Sequence, residues 1–203
     1  MKKLVLAATV AMLGATPAFA QSGELVGGPR IEAVVGWDRT VLHVDGVGSS
    51  GKSGVTYGGE IGYDFPLSDY IIVGPYAGID GASTKECISG GTTTACLKAG
   101  RNITVGARLG TNIAKRTAFY VKGGYSNGRM TGTITDTAVP ANNVNGHDNM
   151  DGFHIGTGVQ LGLRDRIYTK IEYNYTRYSS FEVFGDESRF DRHRVVVGVG
   201  IGF

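Results

Sequence analysis

Arg194-Val195-Val196-Val197-Gly198-Val199-Gly200-Ile201-Gly202-Phe203 alternates strictly in its last nine residues. Val195, Val197, Val199, Ile201 and Phe203 fall on one side of an extended chain; Val196 and then Gly198, Gly200 and Gly202 fall on the other. A period of two is the signature of a β-strand with two different faces. Here one face is apolar and the other, after Val196, carries no side chain at all.

The same pattern recurs upstream. Period-two segments are predicted at Ile31–Asp38, Val55–Phe65, Ile71–Ile79, Ile103–Ile113, Ala118–Ser126, Phe153–Leu163, Ile167–Thr176 and Arg194–Phe203. Most approach the ~9–11 residues that a tilted strand needs to cross hydrocarbon. No segment sustains an i, i+3, i+4 apolar pattern, so little helix is expected. The links at 66–70, 114–117 and 164–166 are short, whereas those at 39–54, 80–102, 127–152 and 177–193 are long. Short and long links alternate in an up-and-down barrel with tight turns on one side of a membrane and free loops on the other.

Sorting each strand into faces separates the chemistry. One face carries Ile31, Val35, Trp37, Tyr57, Ile61, Val105, Leu109, Val121, Phe153, Ile171 and their neighbours, with no charge anywhere. The other holds Glu32, Asp38, Glu60, Asp64, Arg108, Lys122, Gln160, Lys170, Glu172 and Arg194, together with 14 of the 16 strand glycines. A soluble lipocalin-like barrel or sandwich would expose that glycine-rich face to water, which weakens strands without gain. The apolar face also has aromatics toward both ends: Trp37, Tyr57, Tyr125, Phe153 and Tyr175 near the long links, Phe65, Phe119 and Phe203 near the turns. Paired aromatic girdles belong to membrane barrels. The predicted fold is all-β, an eight-stranded antiparallel up-and-down transmembrane β-barrel. Its interior is just wide enough for side chains to fill.

The ends of the chain fit export. Lys2 and Lys3 precede an apolar run, Leu4 to Ala15, and then Ala18-Phe19-Ala20. This reads as a signal peptide over residues 1–20, with Gln21 the first residue of a barrel domain at 21–203. The run is shorter than the about 20 residues of a spanning helix. Removal of Lys2 and Lys3 leaves 18 Lys+Arg against 18 Asp+Glu. A neutral, exported chain without a basic stripe gives no reason to expect nucleic acid as a partner.

With these residues in view, the chain resembles the small bacterial outer-membrane β-barrel family: the opacity proteins, the OmpX-like proteins and the transmembrane domain of OmpA. Its glycine-rich strands look most like the small "porin family" surface proteins of alphaproteobacteria. The resemblance implies that terminal Phe203 and its alternating strand are the signal read by the outer-membrane assembly machinery. It implies residence in the outer membrane, among outer-membrane lipid and lipopolysaccharide. Because the chain stops at Phe203, the peptidoglycan-binding domain of some relatives is expected to be missing.

Candidate chemistry is sparse. Cys87 and Cys96 share one long loop, and an oxidising compartment favours a disulfide between them. Glu60, Arg108, Lys122, Lys170 and Glu172 are predicted near mid-height of the lumen, with Glu32 close by. Charges in such a space persist when paired, so a closed network is expected. Glycines 106 and 110 are expected to make room for Arg108. His147, Asp148, Asp151 and His154 lie near one another in sequence but lack a convincing fourth ligand. His43, His147, His154 and His193 show no neighbouring nucleophile and acid. Neither an enzyme nor a cofactor is expected. Two functions follow: a surface or structural barrel whose four extracellular loops meet host or cell-surface molecules, or a narrow, low-conductance porin-like channel for ions or small solutes.

Overall fold

A computed structural model of the chain describes residues 27–44, 48–136, 138, 143–179, 181–183 and 186–203. The expected signal peptide, 1–20, and Gln21 lie outside the described residues. The strands are β1 (Gly28–Val44), β2 (Gly48–Pro66), β3 (Ile71–Ala82), β4 (Lys85–Gly90), β5 (Thr93–Ala114), β6 (Thr117–Asp136), β7 (Val144–Arg164), β8 (Ile167–Tyr178), β9 (Phe181–Val183) and β10 (Asp186–Gly202). Neighbours pair antiparallel in the order β1-β2-β3-β5-β6-β7-β8-β10, and β10 returns to β1. Eight strands thus close into a ring; β4 hangs on β5 and β9 on β10. Closure puts Ile31 opposite both Ile201 and Ile61, so neither terminal strand of the ring has a free edge.

The two faces fall as the alternation predicts. Ile31, Val35, Tyr57, Ile61, Val105, Leu109, Phe153 and Ile171 are exposed on the outside. Glu32, Asp38, Glu60, Asp64, Arg108, Lys122, Gln160, Lys170 and Glu172 are buried inside. Polarity is inverted relative to a soluble protein, in which exposed contiguous apolar patches of this extent are rare. The buried apolar set is small, and at the turn end it is the pair Ile72 and Ala118.

The tight connections keep to the predicted places, with β5 handing to β6 across Lys115 and Arg116 and β7 to β8 across Asp165 and Arg166. Arg116 (φ 69°) and Asp165 (φ 21°) adopt the positive φ that two-residue hairpins favour.

The long links differ from expectation. Residues 39–44 and 48–54 are not loop but strand: the β1–β2 ladder runs on through Thr40↔Lys52 and His43↔Ser49 to Val44↔Gly48. Likewise β6 and β7 stay paired out to Ile134↔Val144, and β4 with β5 forms a further hairpin inside 80–102. Backbone N–H and C=O groups beyond the bilayer still need partners, and continuing the ladder supplies them. The sequence hides these extensions because apolar residues there, such as Val41, Leu42 and Val44, no longer alternate with polar ones.

Candidate functional site

The interior from mid-height toward the turn end holds a cluster of four cations and four anions, each side chain at most 9% exposed. Lys122 on β6 places Nζ 2.5 Å from Glu60 on β2 and 3.0 Å from Glu172 on β8. Lys170 bridges Glu32 at 2.5 Å and Glu172 at 2.9 Å. Arg30 donates to both Glu32 and Glu60 at 2.8 Å. Arg108 makes a forked contact with Asp64, Nε at 3.0 Å and Nη2 at 2.5 Å, and only a 3.8 Å contact with Glu32. The six residues singled out from sequence, Glu32, Glu60, Arg108, Lys122, Lys170 and Glu172, therefore meet in one place. The main partner of Arg108 is Asp64, and Arg30 completes the set.

Tyrosines line this cluster. Tyr120 donates to Glu172 and Tyr168 to Glu32, both at 2.6 Å. Lys122 Nζ stands 4.5 Å from the centre of the Tyr76 ring and Arg108 Cζ 5.1 Å from that of Tyr120, within cation–π range. The glycines serve these rings more than the arginines. A Cβ on Gly158 would stand 2.5 Å from Tyr120, and one on Gly200 2.3 Å from Tyr168. Gly106 faces the backbone of Gly123 and the Tyr76 hydroxyl, so the space it leaves belongs to Tyr76 and not, as expected, to Arg108.

A second polar layer lies toward the long hairpins. Arg192 contacts Asp38 at 2.5 Å and Asp80 at 3.1 Å; Arg194 pairs with Asp80. Asn102 donates to Asp80 at 3.1 Å and accepts from Tyr178 at 3.1 Å. Between the layers, His154 bonds Ser126 through Nδ1 at 2.8 Å and Tyr76 through Nε2. Ser126 is fully buried and, among the described residues, no carboxylate contacts His154. A serine–histidine pair lacking an acid to orient the base and an opening for substrate is not a hydrolytic triad. No three His, Cys, Asp or Glu converge as a metal site among the described residues.

Outside, the uncharged belt is bounded by Trp37, Tyr57, Tyr125 and Phe153 at one end and by Phe65, Phe119 and Phe203 at the other, all exposed. Tyr63 and Phe65 pack with centroids 4.7 Å apart. A charged interior inside an apolar, aromatic-bounded exterior is the arrangement of a membrane barrel. The family model for the outer membrane protein beta-barrel domain matches residues 6–203. The chain belongs to this family.

Solved structures agree on the fold. Ail, the attachment invasion locus protein of Yersinia pestis, is 12% identical with TM-score 0.51, covering 88% of this chain and 100% of its own. Neisserial surface protein A is 12% identical with TM-score 0.54, covering 87% and 97%. The outer membrane protease OmpT of Escherichia coli is 8% identical with TM-score 0.50, covering 90% and 100%. These likenesses are of fold alone. No curated protein matches the sequence. Membership places this barrel in the bacterial outer membrane, so its apolar belt faces lipid.

Two remaining features of this outer-membrane barrel stand apart from its interior. Cys87 and Cys96 sit directly opposite in the β4–β5 ladder and form a disulfide. Phe203 lies exposed at the turn end, its N–H bonded to Pro29 O at 2.9 Å. Sequence reasoning missed Arg30, Asp80 and Arg192, which lie just outside the alternating segments, and the inward tyrosines 76, 120 and 168. The inward parity of those tyrosines was the available signal.

Proposed function

We propose that this protein is a surface or structural barrel of the outer membrane whose interior is closed by side chains, with its long hairpins on the outside of the cell. The four-cation, four-anion cluster carries the reading. Its ion pairs reach from β2 to β6 and β8 across an interior only wide enough for side chains. Opening a path for ions would separate charges whose isolation in such a space costs several kcal/mol each. The test is single-channel recording of refolded protein in a planar bilayer. Silence is expected; stable open steps would favour the narrow, low-conductance channel for ions or small solutes instead.

The hairpins are the surface open to partners. Ail, a barrel of the same fold, has been crystallised with the heparin analogue sucrose octasulfate; here the hairpins are the part that would meet host or cell-surface molecules. Residues 1–20 act as the signal peptide, and the strand ending in Phe203 as the signal for the assembly machinery. The function involves neither catalysis nor a cofactor.

A further inference from the structure

Every interior cation near the bilayer centre has a carboxylate. On the outer face of β4, β5 and β6 the opposite holds, whereas Arg177 and Arg189 elsewhere on the surface pair with Asp191. Lys85 and Lys98 are directly opposite one another in the β4–β5 ladder, Lys98 is opposite Thr131 on β6, and Thr131 is opposite His147 on β7. Directly opposed residues share a face. Thr131, Arg129 and Tyr125 share the outward parity of β6, so the two lysines look outward with them. Arg101 falls in the register shift between Ala99 and Asn102; Asn102 is buried in the lumen and Arg101 is exposed.

Among the described residues none of Lys85, Lys98, Arg101 and Arg129 makes an ion pair. The nearby acid on this face, Asp151, already accepts from Tyr125 and, at 2.7 Å, from Asn127. Like charges directly opposite in a ladder destabilise it, so the Lys85–Lys98 pair calls for an anion from outside the chain.

Position identifies that anion. Arg129 is four residues beyond girdle residue Tyr125, and Thr131, level with the lysines, six. At about 3.4 Å per residue and a tilt near 40°, this is about 10–15 Å above the aromatic girdle. That is the level of headgroups. By register the lysines and Arg129 share the outer face that carries Tyr125 and Phe153 in the girdle.

We propose that the outward face of β4, β5 and β6 docks the phosphate-bearing headgroup of lipopolysaccharide in the surrounding leaflet, held by Lys85, Lys98, Arg101 and Arg129. This rests on the reading that the long hairpins face outside the cell. The site fixes the β4–β5 hairpin against the membrane surface and leaves the opposite face of the sheet for other partners.

The full-length mature protein is refolded into phosphatidylcholine bilayers containing either phosphorylated lipopolysaccharide, the same lipopolysaccharide dephosphorylated, or neither. The thermal unfolding midpoint and co-sedimentation are then measured against salt. Phosphorylated lipopolysaccharide is expected to raise the midpoint; the dephosphorylated form is not. The variant K85Q/K98Q/R101Q/R129Q should keep the phosphatidylcholine midpoint yet bind phosphorylated lipopolysaccharide about tenfold or more weaker. K85R/K98R should behave as the native protein. Equal binding by native protein and glutamine variant, or binding indifferent to dephosphorylation, overturns the site. Retention of a soluble sulfated glycan by these four residues, with no effect of lipopolysaccharide, overturns it in favour of a partner in the medium. Failure to insert into any of the bilayers would count against the barrel reading itself, and is scored separately by the folded barrel's circular dichroism.

Discussion

Gly158 and Tyr120 are directly opposite in the β6–β7 ladder, and a Cβ on Gly158 would stand 2.5 Å from the Tyr120 ring and hydroxyl. The missing side chain of one residue is the berth of the other, and that berth aims the phenol at Glu172. Gly158→Ala is therefore expected to destabilise the barrel by about 1–3 kcal/mol through overpacking. Combined with Tyr120→Ala it should do less damage than the two effects summed. Strict additivity in urea titrations would refute the packing relation.

Among the described residues, Lys122→Ala leaves Glu60 with Arg30, and Glu172 with Lys170, as the one remaining cation of each. Removing one member of a buried ion pair typically destabilises by about 3–5 kcal/mol. Either the unfolding midpoint falls accordingly, or water enters and conductance rises from the native baseline. A native protein that already conducts, with a variant unchanged in both readings, would dismiss the closed interior.

The lipid face has its own sensitivity. Val105→Arg or Ile171→Arg should each destabilise the folded barrel by about 2–4 kcal/mol near the bilayer midplane. Thr135→Arg, exposed on the same side of β6 but far beyond the girdle, should change little. Equal effects at Ile171 and Thr135 would misplace the membrane.

Cys87 and Cys96 close a short ring between β4, which lies outside the eight-strand ring, and the far end of ring strand β5. The bridge stabilises by about 2–3 kcal/mol at best, and locally. On reduction the barrel should stay folded in detergent while trypsin gains access at Lys85 and Lys98. A global loss of barrel structure would show that the hairpin is integral to it.

Orientation is open to chemical labelling. With Cys87 and Cys96 replaced by serine, a cysteine at Ser49 should react with an impermeant maleimide on intact cells, and one at Lys115 should react only after lysis. The reverse pattern would turn the barrel over.

The lipid-spanning core of the fold was legible in the sequence, because lipid outside and a charged lumen inside force a strict period of two. Val105 and Arg108 differ in parity and so in face. The strand ends were not legible: Thr40, Lys52 and Ser49 lie beyond the apolar belt, where polar and apolar residues no longer alternate and parity leaves no trace in composition. The charge cluster was half legible. Acids and bases of inward parity had to meet, but which ones met depended on strand stagger. Stagger brings Arg108 to Asp64 and carries Arg30, from beyond the alternating run, into the centre. The serine beside His154 was hidden for the same reason, since Ser126 reaches it from a neighbouring strand.

The pairing of β1 with β10, Ile31 against Ile201, joins the start of the described chain to its finish. A sheet with a rim can fray inward from that rim one strand at a time. A closed ladder within lipid offers no such starting place, since peeling any strand leaves two rows of backbone groups with nothing to bond. Amide hydrogens at mid-membrane should therefore exchange only through opening of the whole ring, at one shared rate, while those of the projecting hairpins exchange one by one.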